Sequence, residues 1–263
     1  MKRKRKETKS TVSRRMAILT QLDKNGQVNV QDLSESHGVS SVTIRNDLEQ
    51  LEKKNMLLRA RGGAMKMTQS FVGHDYPLSD KQKKHLPEKK EIGKKAAELI
   101  EEANTIILDS GSTTFEIAKH LDKFENLTVI TNAINIANYL ADHKNITVIV
   151  PGGTLRKNSM SLVGMSAEKG LKNYFCDKLF LGVDGFDTSH GISTPNIEEA
   201  HLNQVMIEIS QKVIVVADSS KFQRRGFAFI AGINKIHALI TDKGIPAEEK
   251  SRLEKMGIEV IIA

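Results

Sequence analysis

From residue 91 onward the sequence repeats one pattern. Short apolar runs at 105–108, 127–130, 146–150, 178–183, 213–217, 238–241 and 259–262 alternate with stretches that are mostly of helical periodicity. A strand with one wet face would alternate apolar and polar side chains, so continuous apolar runs of this length mark strands buried on both faces. A sheet covered on both faces by the helices between its strands has few arrangements open to it. The pattern predicts an α/β domain with a mostly parallel sheet over residues 91–263.

The first quarter of the chain differs in pattern and in charge. The net charge is +7, yet residues 1–70 hold fifteen Lys+Arg against seven Asp+Glu, while the rest hold 24 against 25. Lys2 to Lys6 alone supply five of the positive charges, and the module without them remains at +3. A basic module joined to a near-neutral one points to a polyanion partner for the first and a separate task for the second. Residues 1–12 read as a basic disordered tail. A helix then starts near Ser13, with Met16, Ile18, Leu19 and Leu22 apolar, and ends at Asn25-Gly26. Val28-Asn29-Val30 reads as extended, residues 31–36 as a second helix anchored by Leu33, and His37-Gly38 as its turn. Ser40 caps a third helix running to about Lys54, in which Ile44, Leu48 and Leu51 form one buried stripe. Residues 57–60 and 64–67 read as two strands about Gly62-Gly63. Residues 68–90, with Pro77, Pro87 and several lysines, read as a linker.

Helices meeting at a glycine turn, followed by a strand pair, fit a winged helix-turn-helix over residues 13–67. With Ile44, Leu48 and Leu51 inward, Ser40, Ser41, Thr43, Arg45 and Asn46 are left for DNA. Arginine suits guanine O6 and N7, and asparagine suits adenine N6 and N7. Arg59 and Arg61 on the wing suit phosphates or the minor groove. Asp47 has the wrong charge for DNA and reads as an internal partner of an arginine. A single head makes few base contacts, so a homo-oligomer, dimer or tetramer, on double-stranded operator DNA is expected.

In the second module, Asp109-Ser110-Gly111-Ser112-Thr113-Thr114 lies between a strand and a helix, where free amides and hydroxyls suit an anion. A simple helix cap is the plainer reading, and the absence of a following lysine excludes a Walker A loop. Thr131-Asn132, Gly152-Gly153 with Arg156, Asp184-Gly185 and Asp218-Ser219-Ser220-Lys221 close further strands. The carboxyl ends of parallel strands share one edge, where ligands bind. Hydroxyls, amides, cations and acids gathered there suit a phosphorylated polyol, although each turn alone is an ordinary one. Glu199 reads either as an acceptor for a ligand hydroxyl or as a helix-surface charge.

No apolar run approaches the roughly 18 residues of a membrane span, and the basic N-terminus lacks the apolar region of a secretory signal. One cysteine, Cys176, excludes an internal disulfide framework. The histidines show no metal-ligand spacing, so neither metal nor cofactor is expected. A cytoplasmic protein follows from these readings.

The segment 28–64, with Val39-Ser40-Ser41-Val42-Thr43-Ile44-Arg45-Asn46-Asp47-Leu48 and Arg59-Ala60-Arg61-Gly62-Gly63-Ala64, resembles the DeoR family of bacterial sugar-metabolism repressors. The resemblance runs from about residue 13 to the C-terminus. It departs at Asn46, where most members carry a second arginine, which bears on the operator sequence. It implies an effector domain like ribose-5-phosphate isomerase and a phosphorylated sugar or polyol as effector. It places Asp109, Gly111, Ser112, Thr113, Thr114, Thr131, Asn132, Gly152, Gly153, Asp184, Gly185, Asp218, Ser219 and Lys221 in the pocket, with Lys221 on the phosphate. Residues 109–118 and 180–184, with Ser193-Thr194 and Asn196, are similar to members governing N-acetylgalactosamine operons. Residues 151–157 and 217–222 are similar to those governing glucitol operons. An amino-sugar phosphate and a hexitol phosphate therefore both stay open.

Two alternatives have the same architecture. A sugar-phosphate isomerase with a DNA-binding head needs a carboxylate base over the sugar and a lysine- and glycine-rich stretch after the Gly-x-Asp turn. This chain has Gly191-Ile192-Ser193-Thr194-Pro195 there, so a non-enzymatic regulator is expected. An activator would differ from a repressor only in where its operator lies.

Overall fold

The computed structural model describes residues 11–25, 27–53, 56–60, 62–65, 71–72 and 75–263, and the chain divides into two compact units, one up to Gln69 and one from Ser70. The run Lys2 to Lys6 and Arg61 lie outside the described residues.

The first unit comprises α1 (Thr11–Asn25), β1 (Gln27–Asn29), α2 (Val30–His37), α3 (Ser41–Lys53), β2 (Leu58–Ala60) and β3 (Gly63–Met65). Helix α1 begins two residues before the expected Ser13, which lies within it. Helix ends fray by such margins when a neighbouring residue can also cap. Asn29 caps α2 by accepting from Gln31 N at 2.7 Å, and Gly38 ends it at φ 65°, a left-handed turn that a side chain would strain. Ser40 Oγ accepts from Thr43 N at 3.2 Å and so caps α3 as expected. Ile18, Leu22, Leu33, Ile44, Leu48, Leu51 and Leu57 form the core beneath these helices. The strands make a three-stranded antiparallel sheet in the order β1-β3-β2, so the segment read as an extended link supplies the third strand of the wing.

The second unit begins with β4 (Phe71–Val72), α4 (Leu78–Lys83) and α5 (Leu86–Ala97), followed by β5 (Thr105–Leu108), α6 (Ser112–Ala118), β6 (Leu127–Thr131), α7 (Ile134–Leu140) and β7 (Ile146–Ile149). Next come β8 (Thr154–Arg156), β9 (Ser161–Val163), α8 (Met165–Leu171), β10 (Cys176–Gly182), β11 (Gly185–Asp187), β12 (Gly191–Thr194) and α9 (Ile197–Glu208). It closes with β13 (Ser210–Val216), β14 (Arg225–Gly226), β15 (Ala228–Ala231), β16 (Ala238–Thr241), α10 (Ala247–Lys255) and β17 (Glu259–Ile262).

The seven apolar runs of the sequence form one sheet in the order β17-β16-β13-β10-β5-β6-β7, with every neighbouring pair parallel. Its two faces feed two separate cores. Leu179, Leu181, Val213 and Val215 enter one, while Phe180, Ile214 and Val216 enter the other, which is why the runs are continuous and not alternating. From β5 the chain steps outward to β6 and β7, then returns to the other side of β5 as β10 and continues to β13, β16 and β17. The order reverses between β5 and β10. That junction opens a crevice at the carboxyl ends of the two strands.

The reading of 68–90 as a linker is corrected. Strand β4 pairs with β14, and α4 and α5 pack within the second unit. Pro77 and Pro87 sit at the starts of α4 and α5, where a missing N–H costs nothing. The β8–β9 hairpin and the small antiparallel sheet β11-β12-β15 were not anticipated. Among the described residues no helix is long and apolar enough to cross a membrane.

Candidate functional site

In the first unit, α3 divides cleanly. Ile44, Asp47, Leu48 and Leu51 are buried, and Val42, Arg45, Asn46, Glu49 and Gln50 are exposed. Arg45 and Asn46 thus lie on the outward face as expected. Ser40 is exposed but serves as the cap, and Thr43 Oγ1 lies 2.9 Å from its hydroxyl, so the two side chains spend part of their capacity on each other. Asp47, only 2% exposed, accepts from Arg14 Nε at 2.5 Å and from Arg15 Nε at 2.8 Å. The expected internal arginine is therefore two arginines, both on α1, and they lock α1 to α3. Arg59 lies on β2 opposite Ala64.

In the second unit, a small cavity of about 50 Å³ opens at the junction of β5 and β10. Asp109, Ser110, Gly111, Ser112 and Thr113 follow β5, Gly182 ends β10, and Val183 and Asp184 follow it. Thr194, Glu199, Asn203, Ser159 and Lys221 line the rest, with Tyr76, Leu78, Lys81 and Lys89 from the segment preceding β5. The order of strands explains which expected residues arrive. Thr131-Asn132 and Gly152-Gly153 close β6 and β7, which lie away from the reversal, and they do not line the cavity. Thr131 Oγ1 instead accepts from Ala133 N, and Asn132 donates to Leu162 O, both holding local turns. Thr114 faces inward and donates to the Asp109 carbonyl. Gly185 leaves the rim for β11, and Asp218 and Ser219 fold into a turn beyond β13, from which only Lys221 reaches back. Arg156 stands behind the wall, donating to Glu199 Oε1 at 2.9 Å and pairing with Asp75.

Lys81 and Lys89 were missed, and they change the electrostatics of the site. Lys81 Nζ lies 2.8 Å from Asp184 Oδ2, and Lys221 Nζ lies 3.7 Å from Oδ1. Burial lowers the Lys81 pKa, but Asp184, then Glu199 and Asp109, outweigh it and hold the ammonium above its usual value. Burial likewise raises Asp184, and Lys81 and Lys221 outweigh that and hold it below the usual carboxylate range. Lys89, 3% exposed, donates to the carbonyls of Lys81 at 2.5 Å and Lys84 at 2.6 Å. It forms no ion pair among the described residues, and burial pulls it down to about 8. Asp109 accepts from Gly111 N at 3.0 Å, but burial dominates and pushes it up to about 7. Left-handed His85, at φ 52°, turns the chain between α4 and α5 so that both lysines face the cavity. Gly93, one turn after Lys89, sets the depth. A Cβ there would sit 2.7 Å from the Glu116 backbone, so only glycine lets α5 press this closely on α6.

Cys176 is buried, and its thiol is pushed up to about 12 by burial, as suits a small core residue.

A winged helix-turn-helix with a clear outward face, joined to an α/β unit enclosing a charged cavity, defines a DNA-binding regulator that carries its own sensor. Residues 14–70 match the DeoR-like helix-turn-helix domain and residues 84–243 the DeoR C terminal sensor domain, and the chain belongs to the DeoR family of transcriptional regulators. It is 42% identical to a protein of Escherichia coli O157:H7 bearing the name aga operon transcriptional repressor, over 98% of this chain and 96% of that one. It is 35% identical to the HTH-type transcriptional repressor GlcR of Bacillus subtilis (strain 168), over 95% of each chain. It is 35% identical to the HTH-type transcriptional regulator GlpR of Haloferax volcanii, over 91% of this chain and 92% of that one. Among solved structures, ribose 5-phosphate isomerase from Plasmodium falciparum aligns at a TM-score of 0.38 and 18% identity, over 51% of this chain and 52% of that one. That likeness is too distant to bear on activity.

Proposed function

We propose that this chain represses a carbohydrate-utilisation operon and that a phosphorylated sugar or polyol, bound in the cavity, releases it from double-stranded operator DNA. One observation carries the reading. Lys89 is a buried ammonium hydrogen-bonded to two carbonyls and, among the described residues, paired with no carboxylate, the Asp218 and Asp184 charges acting on it only from a distance. A cation desolvated without a counter-ion is costly, and an anionic ligand removes that cost. The phosphate goes to Lys89 and Lys221 beside the loop 109–113. Asp184, Glu199, Thr194 and Asn203 supply acceptors and donors for the hydroxyls. The named relatives support repression. The protein acts in the cytoplasm as a homo-oligomer, each head taking one half-site.

The coupling runs through residues 75–89. They supply Tyr76, Leu78, Lys81 and Lys89 to the cavity wall, and Asp75 is tied to Arg156, which holds Glu199. The same segment continues the chain that leaves the head. A ligand that engages Lys81 and Glu199 repositions this segment, provided it binds the two arrangements unequally.

Thermal shift of the purified protein against phosphorylated hexoses, amino sugars and hexitols, each paired with its unphosphorylated form, tests the reading. Stabilisation that needs the phosphate and one particular sugar is expected. No shift with any of them discards the sensor account and leaves the DNA-binding head standing. A second reading has one observation in its favour. Asp109, near 7, has the acidity of a general base over a bound sugar. Proton NMR of the stabilising sugar phosphate with the protein separates the two, since a regulator returns it unchanged and an isomerase does not.

A further inference from the structure

The outward face of α3 has an apolar centre. At about 100° per residue, the buried Ile44, Leu48 and Leu51 define an inward direction. Val42 lies opposite to it, flanked by Arg45, Asn46 and Glu49 at the spacing of one helical stripe. Ser41 and Thr43 stand at the sides and are partly buried. Val42 is 59% exposed and belongs to no core cluster. The other large exposed apolar side chains described in this unit, Met16 and Met56, lie off α3. Valine is a poor choice for an exposed first helical turn, where its stiff, branched side chain lowers helix propensity and gains nothing by packing. Among the polar and charged neighbours of its stripe it is the group that gains from an apolar partner.

We propose that Val42 reads the C5-methyl group of a thymine in the major groove and is a specificity-determining residue of this head. The proposal rests on α3 being the helix presented to DNA. The major groove offers one apolar feature among its donors and acceptors, the thymine methyl, and aliphatic side chains contact it. Arg45 and Asn46 have hydrogen-bonding atoms for guanine and adenine edges, and Val42 has none. A hydrogen-bond reader in its place would select a different base pair.

Selection from a random duplex library with the full-length protein supplies a preferred DNA directly. Each selected thymine is then replaced by deoxyuridine, which lacks only the methyl group. Wild-type protein is expected to lose about fourfold in affinity at one thymine per half-site, the worth of one methyl removed from water. Val42→Ala, which keeps the helix, is expected to bind the thymine and deoxyuridine duplexes equally. Replacing that base by 5-methyldeoxycytidine paired with guanine restores the methyl contact for wild type and not for Val42→Ala. Indifference of wild type to the methyl at every selected thymine overturns the proposal. So does a Val42→Ala protein that still senses it. Failure of wild type to select any DNA sinks the DNA-binding reading itself, a different result from either.

Discussion

The two units bury charge in opposite ways. In the head, the Asp47 carboxylate meets Arg14 and Arg15, and the buried anion is compensated by cations on a neighbouring helix. In the body, Asp184 is compensated by Lys81 and Lys221, but Lys89 has no carboxylate among the described residues and Asp109 stays near 7 because burial outweighs its partners. A compensated buried charge holds elements together. An uncompensated one is a cost to the fold, and on the proposed reading an anion bound in the cavity offsets it.

Substitutions test this contrast. The largest effect is expected from Asp47→Ala, which strands two arginines and costs the head about 3–5 kcal/mol, read by denaturant unfolding. A loss under about 1 kcal/mol would put Asp47 with ordinary surface pairs. Lys89→Met reverses the pattern. It leaves the empty body as stable as before, or more so, while weakening the stabilising sugar phosphate by about 2–3 kcal/mol in calorimetry. A Lys89→Met body that unfolds more easily would make Lys89 a structural residue and end the comparison. Arg45→Ala is expected to cost about 1–3 kcal/mol on selected DNA and less on random DNA. Equal losses on both would reduce it to a phosphate contact.

Asp75→Asn sharpens the account of coupling. Sugar-phosphate affinity is expected to stay near wild type, while the concentration needed to release DNA rises about tenfold (about 1.4 kcal/mol). Release at the wild-type concentration would remove the tie to Arg156 from the pathway.

A further test concerns pH. Asp109 is raised to about 7 from an ordinary 3.8, so across that window the folded unit keeps a proton that the unfolded chain has lost. Its contribution to stability is present below the ordinary value and is lost as pH rises through about 7. Asp109→Asn removes the dependence, and its melting temperature should gain on wild type between about pH 4 and pH 7. Parallel curves would show that Asp109 is not desolvated in solution.

How far the sequence spoke depended on the range of the signal. The seven strands were legible because burial on both faces leaves a local mark, an unbroken apolar run. The helix-turn-helix was legible because Gly38, Ser40 and the stripe of Ile44, Leu48 and Leu51 are all local. The cavity was half legible. Asp109 and Asp184 sit in recognisable turns, but which turns share an edge depends on strand order, and that is not written in any one turn. Thr131, Asn132, Gly152 and Gly153 close strands of the same kind and end elsewhere. Lys81 and Lys89 were hidden for another reason. Among Lys83, Lys84, Lys90 and two prolines, a buried lysine has the same letter as a solvated one. The readable clue was proline at two helix starts, which marks order as readily as a linker.

The near-neutral poise of Asp109 and Lys89 has a consequence for what the cavity measures. A dianion entering beside them favours the protonated form of each, so on the proposed reading binding draws protons from solution near neutral pH. Its calorimetric heat then varies with the ionisation enthalpy of the buffer, and its affinity rises as the surroundings acidify. One cavity would report metabolite and proton together, tightening on its ligand when both are abundant.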